Sequence, residues 1–174
     1  MPDIVAFRPV FHEGHRVAIV GTLCHHHDVG GMSPGSYAAG AAEIFQEGLR
    51  LPPVKLFDKG ARNDALWAVI GHNVRETDTV MGDLQSQIAS LDIGVQAISR
   101  LVVKYGAAAL LTACRAFLDA SEITMRARID RMPDGVYEHE DFLDDDGIDA
   151  DKPVRIHARV TIAGERMTVF RSRA

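Results

Sequence analysis

The sequence predicts an α+β fold, in which a strand-rich region, a long antiparallel helical hairpin and a second group of strands follow one another. Three observations carry this. Two apolar runs flank His12-Glu13-Gly14-His15. Leu84, Ile88, Leu91, Val95, Ile98, Val102 and Tyr105 recur in steps of four and three, one apolar stripe on a long helix. Val154, Ile156, Ala158, Val160 and Ile162 alternate with polar residues, as in a half-exposed strand.

The elements follow in order. Ile4 to Phe11 reads as a strand, and His12 to His15 as a tight turn. Arg16 to Cys24 contains the continuous run Val17-Ala18-Ile19-Val20 and reads as the partner strand. Val29 to Ala42 is a loop rich in Gly, Ser and Pro. Leu51-Pro52-Pro53 interrupts the chain before a short strand, Val54 to Phe57. Helices are expected from about Asn63 to Met132, with Asp83 in the first turn of the long one and Gly106 as its stop. Ala107 to Arg131 gives the second arm of the hairpin, with Leu111, Cys114, Leu118, Met125 and Ile129 on one face. Pro133-Asp134-Gly135 is a turn signal, Val154 to Ile162 a strand, Ala163-Gly164-Glu165 a turn, and Arg166 to Phe170 a last strand.

Composition narrows the function. With 174 residues, 47% hydrophobic and 25% charged, residues 1–174 read as one globular domain that needs no disulfide. The net charge is -5, the 19 basic residues are scattered and aromatic residues are only 6%, so no nucleic-acid surface is expected. Cys24 and Cys114 lie far apart in no metal-finger spacing, which fits a reduced, cytoplasmic setting. No apolar run reaches the about 18 residues of a membrane span, and no signal-peptide pattern opens the chain.

The densest chemistry lies in His25-His26-His27-Asp28-Val29-Gly30-Gly31. Imidazole and carboxylate are ligands for zinc, manganese and iron. At a strand end His25 and His27 share a face and His26 points away. With a turn at Glu13-Gly14, cross-strand partners have numbers adding to 27 or 28, so Asp3 faces Cys24 or His25. Facing Cβ atoms lie about 5 Å apart, close enough for a carboxylate and an imidazole to share a metal. Asp3 and His25 are therefore the expected ligands, with His27 and Asp28 in reserve.

The chain resembles the hydantoinase B/5-oxoprolinase family, which includes N-methylhydantoinase B subunits and acetone and acetophenone carboxylase α subunits. The matching stretches are Met1-Pro2-Asp3 with Arg8-Pro9-Val10-Phe11, and His25 to Gly31 with Ser33-Pro34-Gly35-Ser36. Glu43 to Leu49, Pro52 to Leu56, Asn73-Val74-Arg75 and Gly82-Asp83-Leu84 follow. Ser121-Glu122 with Met125-Arg126, and Pro133-Asp134-Gly135, complete the set. Family members are considerably longer. They carry a Thr-His pair whose histidine falls three residues before the position of Asp3, and in the carboxylases that histidine joins the counterparts of Asp3 and His25 at the metal. Val169-Phe170 is similar to the start of a further family stretch, from which Arg171 to Ala174 departs. The expectation is an internal fragment or a truncated gene product.

The resemblance implies a component of an ATP-dependent hydrolase acting on cyclic amides. A hydantoinase A-type subunit or domain would phosphorylate the lactam or hydantoin carbonyl, so ATP would enter only through that partner. Asp3 and His25 would hold a divalent metal (Mn, Zn or Fe), with Asp28 or His27 as base or replacement ligand. A catalytically inactive remnant, an assembly module, and a carboxylase-like fragment are the alternatives. Self-association is expected, since surface facing missing neighbours would be left open. Three further features read as structural. Glu122 and Arg126, four apart, are expected as a buried charge-assisted pair, with a catalytic carboxylate at Glu122 as the alternative. Phe142 to Gly147 is an acidic turn whose first position lacks the Asp of a calcium loop. The Gly30-Gly31 loop lacks the Lys-Ser/Thr of an ATP-binding loop.

Overall fold

The computed structural model describes residues 3–173, and the side chains up to residue 171. Met1 and Pro2, which open one of the family-like motifs, and Ala174 lie outside the described residues. The expected α+β order is the order observed. The chain divides into two compact units, Met1–Ala107 and Ala108–Ala174.

In the first unit, β1 (Asp3–His12) and β2 (His15–His25) form an antiparallel hairpin. Glu13 and Gly14 both take positive φ (49° and 79°), as a tight hairpin turn requires. A very short hairpin follows, β3 (Phe57–Asp58) with β4 (Ala61–Arg62). The strand expected at Val54 to Phe57 is therefore displaced. Pro52 and Pro53 offer no N–H, and the partner that closes a ladder lies at residues 61–62. Next come α1 (Asp64–His72) and α2 (Thr77–Tyr105). Asn63 caps α1 by accepting the Leu66 N–H at 3.2 Å. The long helix starts six residues before Asp83, which falls in its second turn. Gly106, at φ 83°, ends it as expected, and its N–H bonds the Val102 carbonyl.

The predicted stripe of α2 is the face that packs. Leu84, Leu91 and Val102 are buried and Ile88, Val95 and Ile98 half-buried, while Tyr105 is exposed. This face crosses both strands of the β1–β2 hairpin. Gly94 lets the helix approach closely, since a Cβ there would lie 3.1 Å from Val20 Cγ1. Arg8 of β1 pairs with Asp92 of α2. Trp67, Ile70 and Leu84 form the core, with Ile4, Leu49, Leu51 and Leu56 packed against it.

The second unit holds α3 (Ala107–Ile129), whose first residue belongs to the preceding unit, and a sheet in the order β5-β6-β7. Its strands are Gly135–Leu143, Val154–Ala163 and Arg166–Arg173. Of the apolar residues expected on one face of α3, Ile129 is half-buried and the others are exposed. Leu118 and Met125 are 67% and 61% exposed, and α3 buries no residue. β5 has no counterpart among the expected strands. Glu122 and Arg126 do pair at 2.8 Å, but at the surface rather than in a core. Asp145 and Asp146 accept N–H groups of residues 147–149, so the acidic segment is a turn. Among the described residues no single helix is long and apolar enough to cross a membrane.

Candidate functional site

The β1–β2 register places Asp3 directly opposite His25. Partner numbers add to 27 at Phe11 and Arg16 and to 28 from Val10 and Ala18 onward. Val17 is the extra residue of a bulge, and that insertion turns the Cys24 alternative into His25. Asp3 Oδ1 lies 2.7 Å from His25 Nδ1, and the Tyr37 hydroxyl lies 2.5 Å from His25 Nε2. A carboxylate only accepts, so Nδ1–H donates to Asp3 and Nε2 accepts the Tyr37 O–H; the tautomer is assigned from this network. A carboxylate behind an imidazole is the arrangement that orients histidine ligands. Both ring nitrogens are engaged, so a metal at His25 would displace one of the two bonds.

The strand alternation continues past the end of β2. His25 and His27 face solvent, while His26 and Asp28 are each 1% exposed. His26 Nε2 lies 3.2 Å from Gln87 Oε1. The Gln87 amide also donates to the carbonyls of Ile4 at 2.7 Å and Thr22 at 3.3 Å. One α2 side chain thus grips both strands and the residue behind His25. His26 Nδ1 has no protein partner among the described residues.

Asp28 is the hub of the following loop. Its carboxylate accepts the N–H groups of Gly30 (2.6 Å), Gly35 (2.8 Å) and Arg75 (3.3 Å), and the Arg75 guanidinium at 3.0 Å. Arg75 also donates to the carbonyls of Ser33 and Gly31. Burial alone would raise the Asp28 pKa. The Gly30 N–H, the Arg75 guanidinium and the N–H groups of Gly35 and Arg75 outweigh it, and hold the carboxyl below its ordinary value. The Ser36 hydroxyl donates to the Gly30 carbonyl and accepts the Val29 N–H, both at 2.8 Å. Gly30 and Gly31 sit at φ 88° and 87°, and a Cβ on either would fall 2.5–2.6 Å from a carbonyl oxygen of Asn73 or Gln46. Since Asp28 takes the Gly30 N–H, this turn is not a phosphate cradle.

The reserve residues therefore divide. Asp28, expected as base or replacement ligand, is saturated by the loop it closes. His27 keeps an exposed imidazole with no hydrogen-bond partner among the described residues. Sequence reasoning misses Tyr37, Arg75 and Gln87 in these roles. Gln87 is visible as a polar residue on the apolar stripe beside Leu84, Ile88 and Leu91, and Arg75 stands in a motif. Nothing local marks Tyr37. Asp3 and His25 have the donor chemistry of a divalent-metal site, but among the described residues no group of three or more His, Cys, Asp and Glu gathers. Two protein donors are one short of a typical catalytic set.

This geometry sits in a recognisable scaffold. The hydantoinase B/oxoprolinase family model matches residues 1–171, and the chain belongs to that family. It is 34% identical to the B-type component of a putative D-/L-hydantoinase from Pseudomonas sp. (strain NS671), over 97% of this chain and 29% of that protein. It is 32% identical to the beta component of caprolactamase from Pseudomonas jessenii, over 97% of this chain and 29% of the relative. The crystal structure of ATP-dependent caprolactamase from the same organism superposes with a TM-score of 0.87 at 30% identity, covering 99% of this chain and 30% of that one. The chain thus spans about three tenths of the length of the relatives it matches.

Proposed function

We propose that the chain is part of the ring-opening component of an ATP-dependent hydrolase of cyclic amides, lactams or hydantoins. The carrying observation is the Asp3–His25 pair, held at 2.7 Å by strand register at the surface of a hydantoinase B-type scaffold. A hydantoinase A-type ATP-binding partner would phosphorylate the carbonyl oxygen, because an unactivated amide is a poor electrophile. The chain would then promote water addition at that carbon and breakage of the C–N bond.

The residues suggest a division of roles. Asp3 fixes the His25 ring, and the two offer a carboxylate oxygen and an imidazole nitrogen to a divalent metal. Such a metal, when bound, would stabilise negative charge developing on oxygen. His27, exposed two residues along, would take a proton from the attacking water. Asp28 holds the loop on which His27 sits.

The test is reconstitution. The chain is mixed with a hydantoinase A-type subunit, ATP, Mn2+ or Zn2+, and 5-oxoproline, hydantoin or caprolactam, and ring opening is followed by chromatography. Metal binding by the chain alone is measured in parallel by calorimetry. Weak binding that His25→Ala abolishes, together with turnover that His25→Ala and His27→Ala both reduce, supports the reading. Metal affinity unchanged in His25→Ala refutes the ligand assignment. A second reading, a non-catalytic assembly module, is favoured by the lack of a three-donor cluster among the described residues. Complex formation with the partner without turnover would select it.

A further inference from the structure

Asp3 also lines one wall of an open cleft of about 860 Å³, whose other walls include Gly31, Phe45, Gly48, Arg50 and Asn73. That is the size range of small-molecule sites. Arg50 is the one cation among these residues. Its guanidinium lies 4.8 Å from the centre of the Phe45 ring, and Phe45 is itself 69% exposed, so the ring serves as a platform rather than as core. No carboxylate pairs with Arg50 among the described residues; its place in the cleft and on the Phe45 ring sets it apart from the other unpaired arginines.

The backbone beneath Arg50 is fixed. Leu49 and Leu51, on either side, pack against the Trp67–Ile70–Leu84 core. The Leu49 N–H bonds the Val29 carbonyl at 2.7 Å, and the Met32 N–H bonds the Gln46 carbonyl at 2.8 Å. Gly48 holds φ 124°, and a Cβ there would lie 2.5 Å from the Val29 oxygen. Leu49 and Leu51 also line the cleft, and Arg50 stands between them in its wall. A guanidinium stacked on a ring in a cleft, and not itself ion-paired, is a binding group for planar or tetrahedral oxyanions.

We infer that Arg50 is the anion-recognition residue of this cleft and that its ligand carries a carboxylate or phosphoryl group at one end while its reacting end lies toward Asp3. The inference rests on the proposed function, and adds to it the residue that holds the anionic group, whether a carboxylate of the substrate or the phosphoryl group added to it.

The experiment is a binding titration on the full chain at constant ionic strength, followed by calorimetry or ligand-observed NMR. Its probes are L-5-oxoproline, 2-pyrrolidinone, which is the same ring without the carboxylate, and inorganic phosphate. The expected result is affinity for 5-oxoproline at least about tenfold above that for 2-pyrrolidinone, as one charge-assisted hydrogen bond provides. Arg50→Gln should remove that margin, and Arg50→Lys should keep part of it. An Arg50-dependent margin for phosphate but not for 5-oxoproline assigns the phosphoryl group as the anion. Arg62→Gln, which removes the same charge elsewhere, should leave both anions unaffected. Thermal melting of Arg50→Gln near wild type confirms folding, since the side chain is exposed. The inference is overturned if neither anion outbinds 2-pyrrolidinone, if Arg50→Gln binds both anions like wild type, or if Arg62→Gln weakens them equally. Arg50-dependent binding without reconstituted turnover would count against the proposed function alone. Turnover with Arg50-independent binding would count against this inference alone.

Discussion

Asp28→Ala should be among the most destabilising substitutions in the first unit. The carboxylate is 1% exposed and accepts backbone N–H groups of Gly30 and Gly35 at 2.6 and 2.8 Å. Hydrogen bonds to a charged group contribute about 1.5–3 kcal/mol each. The Arg75 side chain is 40% exposed and regains water when Asp28 is removed, so its ion pair is left out of the sum. The two backbone bonds alone give about 3–6 kcal/mol, close to the about 3–5 kcal/mol seen when a buried charge pair loses one partner. Asp28→Asn keeps one acceptor and should cost about half as much. Urea unfolding at pH 7, read by fluorescence of Trp67, reports this unit, because Trp67 is the single tryptophan and lies in its core. The pH dependence has a definite sign. The folded pKa of Asp28 lies below its ordinary value of 3.8. The stabilisation is therefore full above the unfolded carboxyl pKa, and is lost as pH falls through the lower folded value. The gap between wild type and Asp28→Asn should be flat from about pH 7 to 5 and close below about pH 4. A loss under about 1 kcal/mol for Asp28→Ala at pH 7, or a gap that widens on acidification, would refute the assignment of Asp28 as the loop's hub.

Three further outcomes are expected. Gln87→Leu, at a side chain 4% exposed, strands His26 and removes donors from the Ile4 and Thr22 carbonyls, so it should cost about 1–3 kcal/mol in the same assay and speed amide exchange in β1 and β2. Leu84→Ala opens a cavity at a fully buried position beside Trp67 and Ile70 and should cost about 2–5 kcal/mol, checked by urea unfolding. Gly30→Ala drives a Cβ to within 2.5 Å of the Asn73 carbonyl at a positive φ, and should cost more than the about 1 kcal/mol of backbone strain alone, read as a lowered melting temperature.

What the sequence made legible was local. The α2 stripe was readable because seven apolar positions repeat with helical period, and the burial of Leu84, Leu91 and Val102 follows it. The hairpin was readable because Glu13-Gly14 fixes the turn, and the turn fixes the register to within one residue. The remaining residue depended on the bulge at Val17, which no local signal marks. β5 was hidden because Glu138, Glu140 and Asp141 disfavour a strand on their own. Its support comes from across the sheet, where Arg155 and Arg159 of β6 pair with Glu140 and Glu138. Arg75 is hidden for the same reason. Its partner Asp28 lies 47 residues away, and only the folded chain shows that the two meet.

The alternation along residues 25–28 explains why a cluster of three histidines and an aspartate resists interpretation from composition. Each residue could ligate a metal or move a proton, yet the backbone hands them different environments in turn. His26 and Asp28 face inward and are claimed by Gln87 of α2 and Arg75 beyond α1. His25 and His27 face outward, and only His25 meets a cross-strand carboxylate. The inward pair fixes the outward pair: Gln87 ties His26 to both strands, and Asp28 closes the loop immediately after His27. A substitution at His26 or Gln87 should therefore disturb the Asp3–His25 geometry without touching either residue. Loss of function at those two positions, if accompanied by faster exchange in the hairpin, identifies positioning residues rather than ligands. Loss of metal affinity without such loosening would instead require His26 to reach the metal, which a side chain 1% exposed on the opposite side of the strand does not do.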